Sequence, residues 1–158
     1  MNEIQAVKTA KIEEVKKNSK KGFTLVELVV VIAILAILAA IAIPVVSSTI
    51  ASSQRSTALS DAQTLELALK EAHAQIVAKD TSVYTDAATV ADVISEKSLQ
   101  SIHVGDTRTI GGDTYTLSWC AADDKCYWMN GTTNLDSSIT PGGTTAAIAT
   151  GDVVSTLF

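Results

Sequence analysis

Glu27 is the single ionisable side chain in the run LVELVVVIAILAILAAIAIPVV, residues 25–46. A charge at the centre of a membrane-spanning helix costs about 2.5–3.5 kcal/mol on insertion scales, and less near an end. Snorkelling toward the headgroups is one account of a carboxylate placed so near the start of the run. The preceding residues, Lys21-Gly22-Phe23-Thr24-Leu25-Val26, offer a second. If the Gly22–Phe23 bond is cut, Phe23 gains a cationic amine four residues from Glu27. A buried carboxylate becomes tolerable when such a cation, from its own or a neighbouring chain, comes within reach.

The two cysteines, Cys120 and Cys126, are six positions apart in the polar half. If that half lies outside the membrane, a Cys120–Cys126 disulfide is the natural expectation, with free thiols as the alternative. A bridge there closes a small loop, worth about 2 kcal/mol in the chain-entropy account. Two thiols are too few for a zinc site, and the nearest histidine, His103, is seventeen residues upstream of Cys120. Asp123 and Asp124 between the cysteines lack the DxDxDG spacing of a calcium loop and read as a solvated turn. Asn130-Gly131-Thr132 is formally a glycosylation sequon, but Asn-Gly is first a turn signal.

Catalytic patterns are absent from the sequence. Ser118 has no histidine close in sequence, and no GxSxG, HExxH or P-loop string occurs. His73 and His103 read as exposed helix and loop residues. The chain is expected to be no enzyme, with no catalytic residues, no metal and no cofactor.

The elements that carry these residues follow from charge and periodicity. The net charge of −5 over 158 residues hides a division at Gly22: residues 1–22 carry +3 and the remainder −8. An acidic body of this kind lacks the general attraction for phosphate backbones that nucleic-acid binding requires. Residues 1–22 read as a polar, Lys-rich cytoplasmic leader. Residues 28–46 hold nineteen positions without a charge, enough to cross a hydrocarbon core of about 30 Å. Lysines precede the run and no basic residue occupies the eight positions after it, which orients the N-terminus toward the cytoplasm.

Beyond Pro44 the helix is expected to continue. Ala58, Ala62, Leu65, Leu69, Ala72 and Ile76 recur at spacings of four and three, the stripe of an amphipathic helix. Residues 23–79 therefore read as one near-continuous helix, roughly 85 Å long at about 1.5 Å per residue, interrupted only near Pro44. A second layer must cover the stripe. A short helix is expected over Asp86–Lys97, capped by Thr85 or Asp86. Gly111-Gly112 is a hairpin turn between Thr107–Ile110 and Asp113–Trp119. A second hairpin with Cys120 opposite Cys126 sets Trp119 opposite Tyr127 and Leu117 opposite Met129. Alternation then puts Ile110, Tyr115, Leu117, Trp119, Tyr127 and Met129 on one side of a three-stranded meander, with Arg108 as a misfit at its edge. In the Gly/Thr/Ser-rich tail only Ala146–Ala149 reads as a candidate strand.

The segment KKGFTLVELVVVIAILAILAAIAIPVV closely resembles the N-terminus of type IV pilins and of the related pseudopilins of type II secretion and DNA-uptake machines. The likeness covers about 27 of the 158 residues and joins a glycine before the junction, an aromatic after it, the carboxylate of Glu27 and the proline of Pro44. It implies an α+β fold, with a long N-terminal helix packed by its second half against a small antiparallel sheet. It divides the chain into a cleaved leader (1–22), the helix (23–79, transmembrane over about 25–46) and a globular head (80–158). It implies cleavage between Gly22 and Phe23 by a membrane aspartyl prepilin peptidase, and N-methylation of Phe23. Register in assembly would be set by Glu27 against the Phe23 amine of an adjacent subunit, and Pro44 would mark where the helix unwinds in an extensible fibre.

The partners implied are copies of the chain in a helical filament, the membrane, the peptidase, an assembly platform protein and minor pilins. The chain would wait as a single-pass membrane protein and end in an extracellular pilus serving adhesion or motility. A pseudopilin is the alternative within this class. Outside it stand a secreted protein cut by signal peptidase after Ala40-Ile41-Ala42 and an uncleaved bitopic protein.

Overall fold

The structure, a computed structural model, describes residues 22–80, 82–102, 104–105 and 107–158. Residues 1–21 of the expected leader, and His103, lie outside the described residues. The chain divides at Pro44 into two compact units, Met1–Pro44 and Val45–Phe158. Helix α1, Leu25–Val77, contributes to both and contains Pro44.

In the first unit Gly22, Phe23 and Thr24 are non-helical, and α1 begins at Leu25. The apolar residues from Leu25 to Ile43 are exposed all round, with a mean hydropathy of 3.2 over the most apolar eighteen-residue window. This stretch is long and apolar enough to cross a membrane.

In the second unit α1 buries Ala58, Ala62, Leu65, Ala68, Leu69, Ala72 and Ile76. These are the six stripe positions expected from spacing, joined by Ala68. The helix stops where Lys79 turns left-handed, φ 56°. The Asp80 amide then donates to Gln75 and the Lys79 amide to Ile76, which satisfies the last carbonyls in a Schellman arrangement.

Helix α2, Val90–Glu96, is shorter than expected and is capped by Thr89, which exchanges bonds with Asp92. Thr85 and Asp86 lie in the preceding turn instead. The free amides of its first turn, Val90 and Ala91, donate to the carbonyls of Asp152 and Thr150, so the C-terminal segment closes over the start of α2.

The strands are β1 (Thr107–Ile110), β2 (Asp113–Cys120), β3 (Lys125–Asn130), β4 (Thr133–Asn134) and β5 (Thr145–Ala147). They form one antiparallel sheet in the order β1-β2-β3-β4. β5 takes the edge of β2 that β1 leaves beyond Thr116. The expected meander is thus present, with two further strands. Ile110 faces Asp113 across Gly111 and Gly112, both at positive φ, as a two-residue hairpin turn requires. The tail strand covers Thr145–Ala147 and not Ala146–Ala149, and the Ile148 amide continues the same register one step further by donating to the Leu117 carbonyl.

The second hairpin departs from the expected register by one residue. Trp119 faces Cys126, Leu117 faces Trp128 and Cys120 faces Lys125. The connection is Ala121–Asp124, four residues with Asp124 at φ 52°, and not the five residues between the cysteines. A slip of one residue inverts a strand. Cys126 and Trp128 therefore join Leu117 and Trp119 in the core against α1, while Tyr127 and Met129 pack with Cys120 on the opposite face. Arg108 is no misfit: it turns toward α1 and pairs with Asp61 at 2.7 Å.

Candidate processing and assembly site

The junction is built from four residues with distinct parts, Gly22, Phe23, Thr24 and Glu27. At Gly22 an added side chain would meet nothing within 4 Å among the described residues, and its φ is not left-handed. The described residues therefore do not demand glycine there. Phe23 is 91% exposed. Thr24 then acts as the N-cap of α1. Its Oγ1 accepts the Glu27 amide at 3.2 Å, while Glu27 Oε2 accepts both the Thr24 amide and the Thr24 hydroxyl at 2.8 Å. This is a capping box, with the carboxylate also favoured by the positive end of the helix dipole. Glu27 is exposed, and among the described residues its Oε1 takes no hydrogen bond. Thr24 was not among the expected site residues, although T-x-x-E at the start of an apolar run is a readable helix N-terminus signal.

Pro44 lies inside α1 and brings no amide to the helix ladder. Just beyond it, Ser48 and Thr49 each donate a hydroxyl to the Val45 carbonyl at 2.9 Å. Such back-bonds compete with the main-chain pattern and mildly loosen or bend a helix.

Residues 17–43 match the family model of the prokaryotic N-terminal methylation motif. The chain carries an N-terminal methylation motif. This motif, with its class III signal peptide, supports the type IV pilin and pseudopilin family, whose members are structural proteins and not enzymes. The α+β arrangement of a long N-terminal helix and a small antiparallel sheet agrees with a pilin-like fold. The matched residues include Gly22, Phe23, Thr24 and Glu27 and end one residue before Pro44. No curated protein and no solved structure gives a significant match to the chain.

The remaining expected site residues lie in the head. The Cys120–Cys126 bridge is not formed: both are buried free thiols. The observed register explains this, because Cys120 lies on the outer face of the sheet and Cys126 on the face toward α1. Burial pushes the Cys126 thiol far above its ordinary range, and the neighbouring Glu66 carboxylate adds to the shift.

Asp123 is not merely solvated. It accepts the Tyr127 hydroxyl at 3.0 Å and the Gly142 amide at 2.6 Å, ties that sequence spacing did not suggest. The Gly142 amide, followed by the Tyr127 hydroxyl, holds its carboxyl below the usual range. Tyr127 is pushed up to about 12, first by burial and then by Asp123. A side chain at Gly142 would run into the Asp123 carboxylate, so close approach explains that glycine. His73 is half-buried, not exposed, and stacks on Phe158 at 4.1 Å between ring centroids.

Proposed function

We propose that the chain is the precursor of a type IV pilus subunit. Its leader, residues 1–22, is removed by prepilin peptidase between Gly22 and Phe23, and the new Phe23 amine is methylated. A glycine that packing among the described residues does not require fits a residue read by the peptidase. The N-terminus faces the cytoplasm while residues 25–46 hold the precursor in the membrane, and residues 80–158 become the outer surface of the fibre.

The observation that carries this reading is Glu27. It stands at the head of an otherwise uncharged apolar helix, with one oxygen committed to its own cap and the other open. In a filament core, helices bury their apolar surface against one another, at about 25 cal/mol per Å² of apolar surface removed from water. A carboxylate there needs a cation, and the amine of Phe23 from an adjacent subunit supplies one at a fixed height. Glu27 then sets the axial register, while Pro44 and the hydroxyl back-bonds beyond it mark where α1 yields under tension. An assembly platform and minor pilins complete the partner set.

The test is Glu27→Ala in the full precursor, followed by electron microscopy with immunogold labelling. Membrane insertion is expected to persist while fibres are lost or misregistered. Normal fibres from the variant would refute the role of Glu27. Wild-type label confined to the envelope, with none along fibres, would favour a pseudopilin.

A further inference from the structure

An endopeptidase acts on backbone that is exposed and open, and cleavage follows the population of that open form when opening is fast. The Gly22–Phe23 bond occupies such backbone. Gly22, Phe23 and Thr24 are non-helical and exposed, and the first helical bond of α1 runs from the Leu28 amide to the Thr24 carbonyl. What stops the helix there is local. Thr24 and Glu27 exchange three hydrogen bonds of 2.8–3.2 Å, and an N-cap residue holds a conformation outside the helical region. Glycine at 22 opposes helix as well, but Phe23 has no such bias strong enough to fix a boundary by itself.

We infer that Thr24 is a positioning residue for processing: its cap starts α1 at Leu25, with Phe23 and Thr24 between the scissile bond and the helix, and keeps that bond outside the helix. The step served is hydrolysis. Water adds across the Gly22–Phe23 amide, leaving a carboxylate on Gly22 and an amine on Phe23. The inference rests on the reading that the precursor is cut at this bond. It separates two duties of Glu27, which closes the cap through Oε2 before the cut and keeps Oε1 for a cation after it.

The experiment is single-turnover cleavage of the full-length precursor in membranes containing prepilin peptidase. Wild type is compared with Thr24→Val, which keeps the shape and the backbone amide but loses both bonds made through the hydroxyl, and with Thr24→Ser, which keeps them. Thr24→Val is expected to be cut about fivefold more slowly, the rate equivalent of a typical lost cap. Thr24→Ser should be cut within about twofold of wild type, with all three chains inserted equally. An unchanged or faster rate for Thr24→Val overturns the inference, as does a Thr24→Ser rate as slow as that of Thr24→Val. Failure of the wild type itself to be cut after Gly22 overturns the processing reading and the inference with it.

Discussion

The indole nitrogen of Trp128 donates to the backbone carbonyl of Ala58 at 2.7 Å, across seventy residues of sequence. Trp128 is completely buried, and its bond pins β3 to α1 in one register. A slip by one residue would turn Trp128 outward and Tyr127 inward, so this contact decides which face of the hairpin is core. Trp128→Phe is expected to lower head stability by about 1 kcal/mol through the lost bond, and Trp128→Ala by about 3–5 kcal/mol through the cavity. Urea unfolding followed by Trp119 fluorescence measures both. A Trp128→Ala cost below that of Trp128→Phe would sink this account of the register.

Both thiols are expected to remain reduced in the folded protein. Native protein should react negligibly with a thiol reagent, and the denatured chain should release two equivalents. Intact mass two daltons below the reduced chain, with a crosslinked Cys120–Cys126 peptide, would contradict the observed pairing of β2 with β3.

Arg108 and Asp61 join β1 to α1 with side chains 25% and 22% exposed. Partial exposure screens the pair, and a double-mutant cycle with Arg108→Met and Asp61→Asn should give a coupling of about 0.5–1 kcal/mol. The coupling should shrink in high salt. Zero coupling at low salt would mean that the contact does not hold β1 in place.

Asp123 links acidity to the segment around Gly142. Its folded pKa lies below the unfolded value of about 3.9, so its stabilising contribution is complete above that value and is lost as pH falls through the folded pKa. Protection of the Gly142 amide relative to Ile148 should therefore be constant from pH 7 to about 5 and decline below about 4. In Asp123→Asn the decline should vanish. A pH-dependent loss that survives in Asp123→Asn would assign it to another group.

The parts of this molecule that were legible in the sequence are those set by local pattern. The stripe from Ala58 to Ile76 follows helical spacing, and the Gly111-Gly112 turn follows from backbone freedom, so both elements matched expectation. The Cys120–Trp128 hairpin did not, because two cysteines suggested a symmetric pairing. The actual register is set by burial of Trp128 and by a left-handed Asp124, and the burial of Trp128 is a long-range effect. The ties of Asp123 to Gly142 and of Phe158 to His73 and Trp119 join distant segments and leave no periodic trace. At the junction, chemistry identified Gly22, Phe23 and Glu27, but attention to the carboxylate's charge concealed its role as the partner of Thr24 in a cap.

The central claim is that the mature chain begins at Phe23. Intact mass and N-terminal sequencing of the protein recovered from the cell envelope and from sheared surface material test it directly. The account predicts a single N-terminus, N-methylated Phe23, in both fractions. A start near Ile43, or retention of Met1 through Gly22, would contradict it.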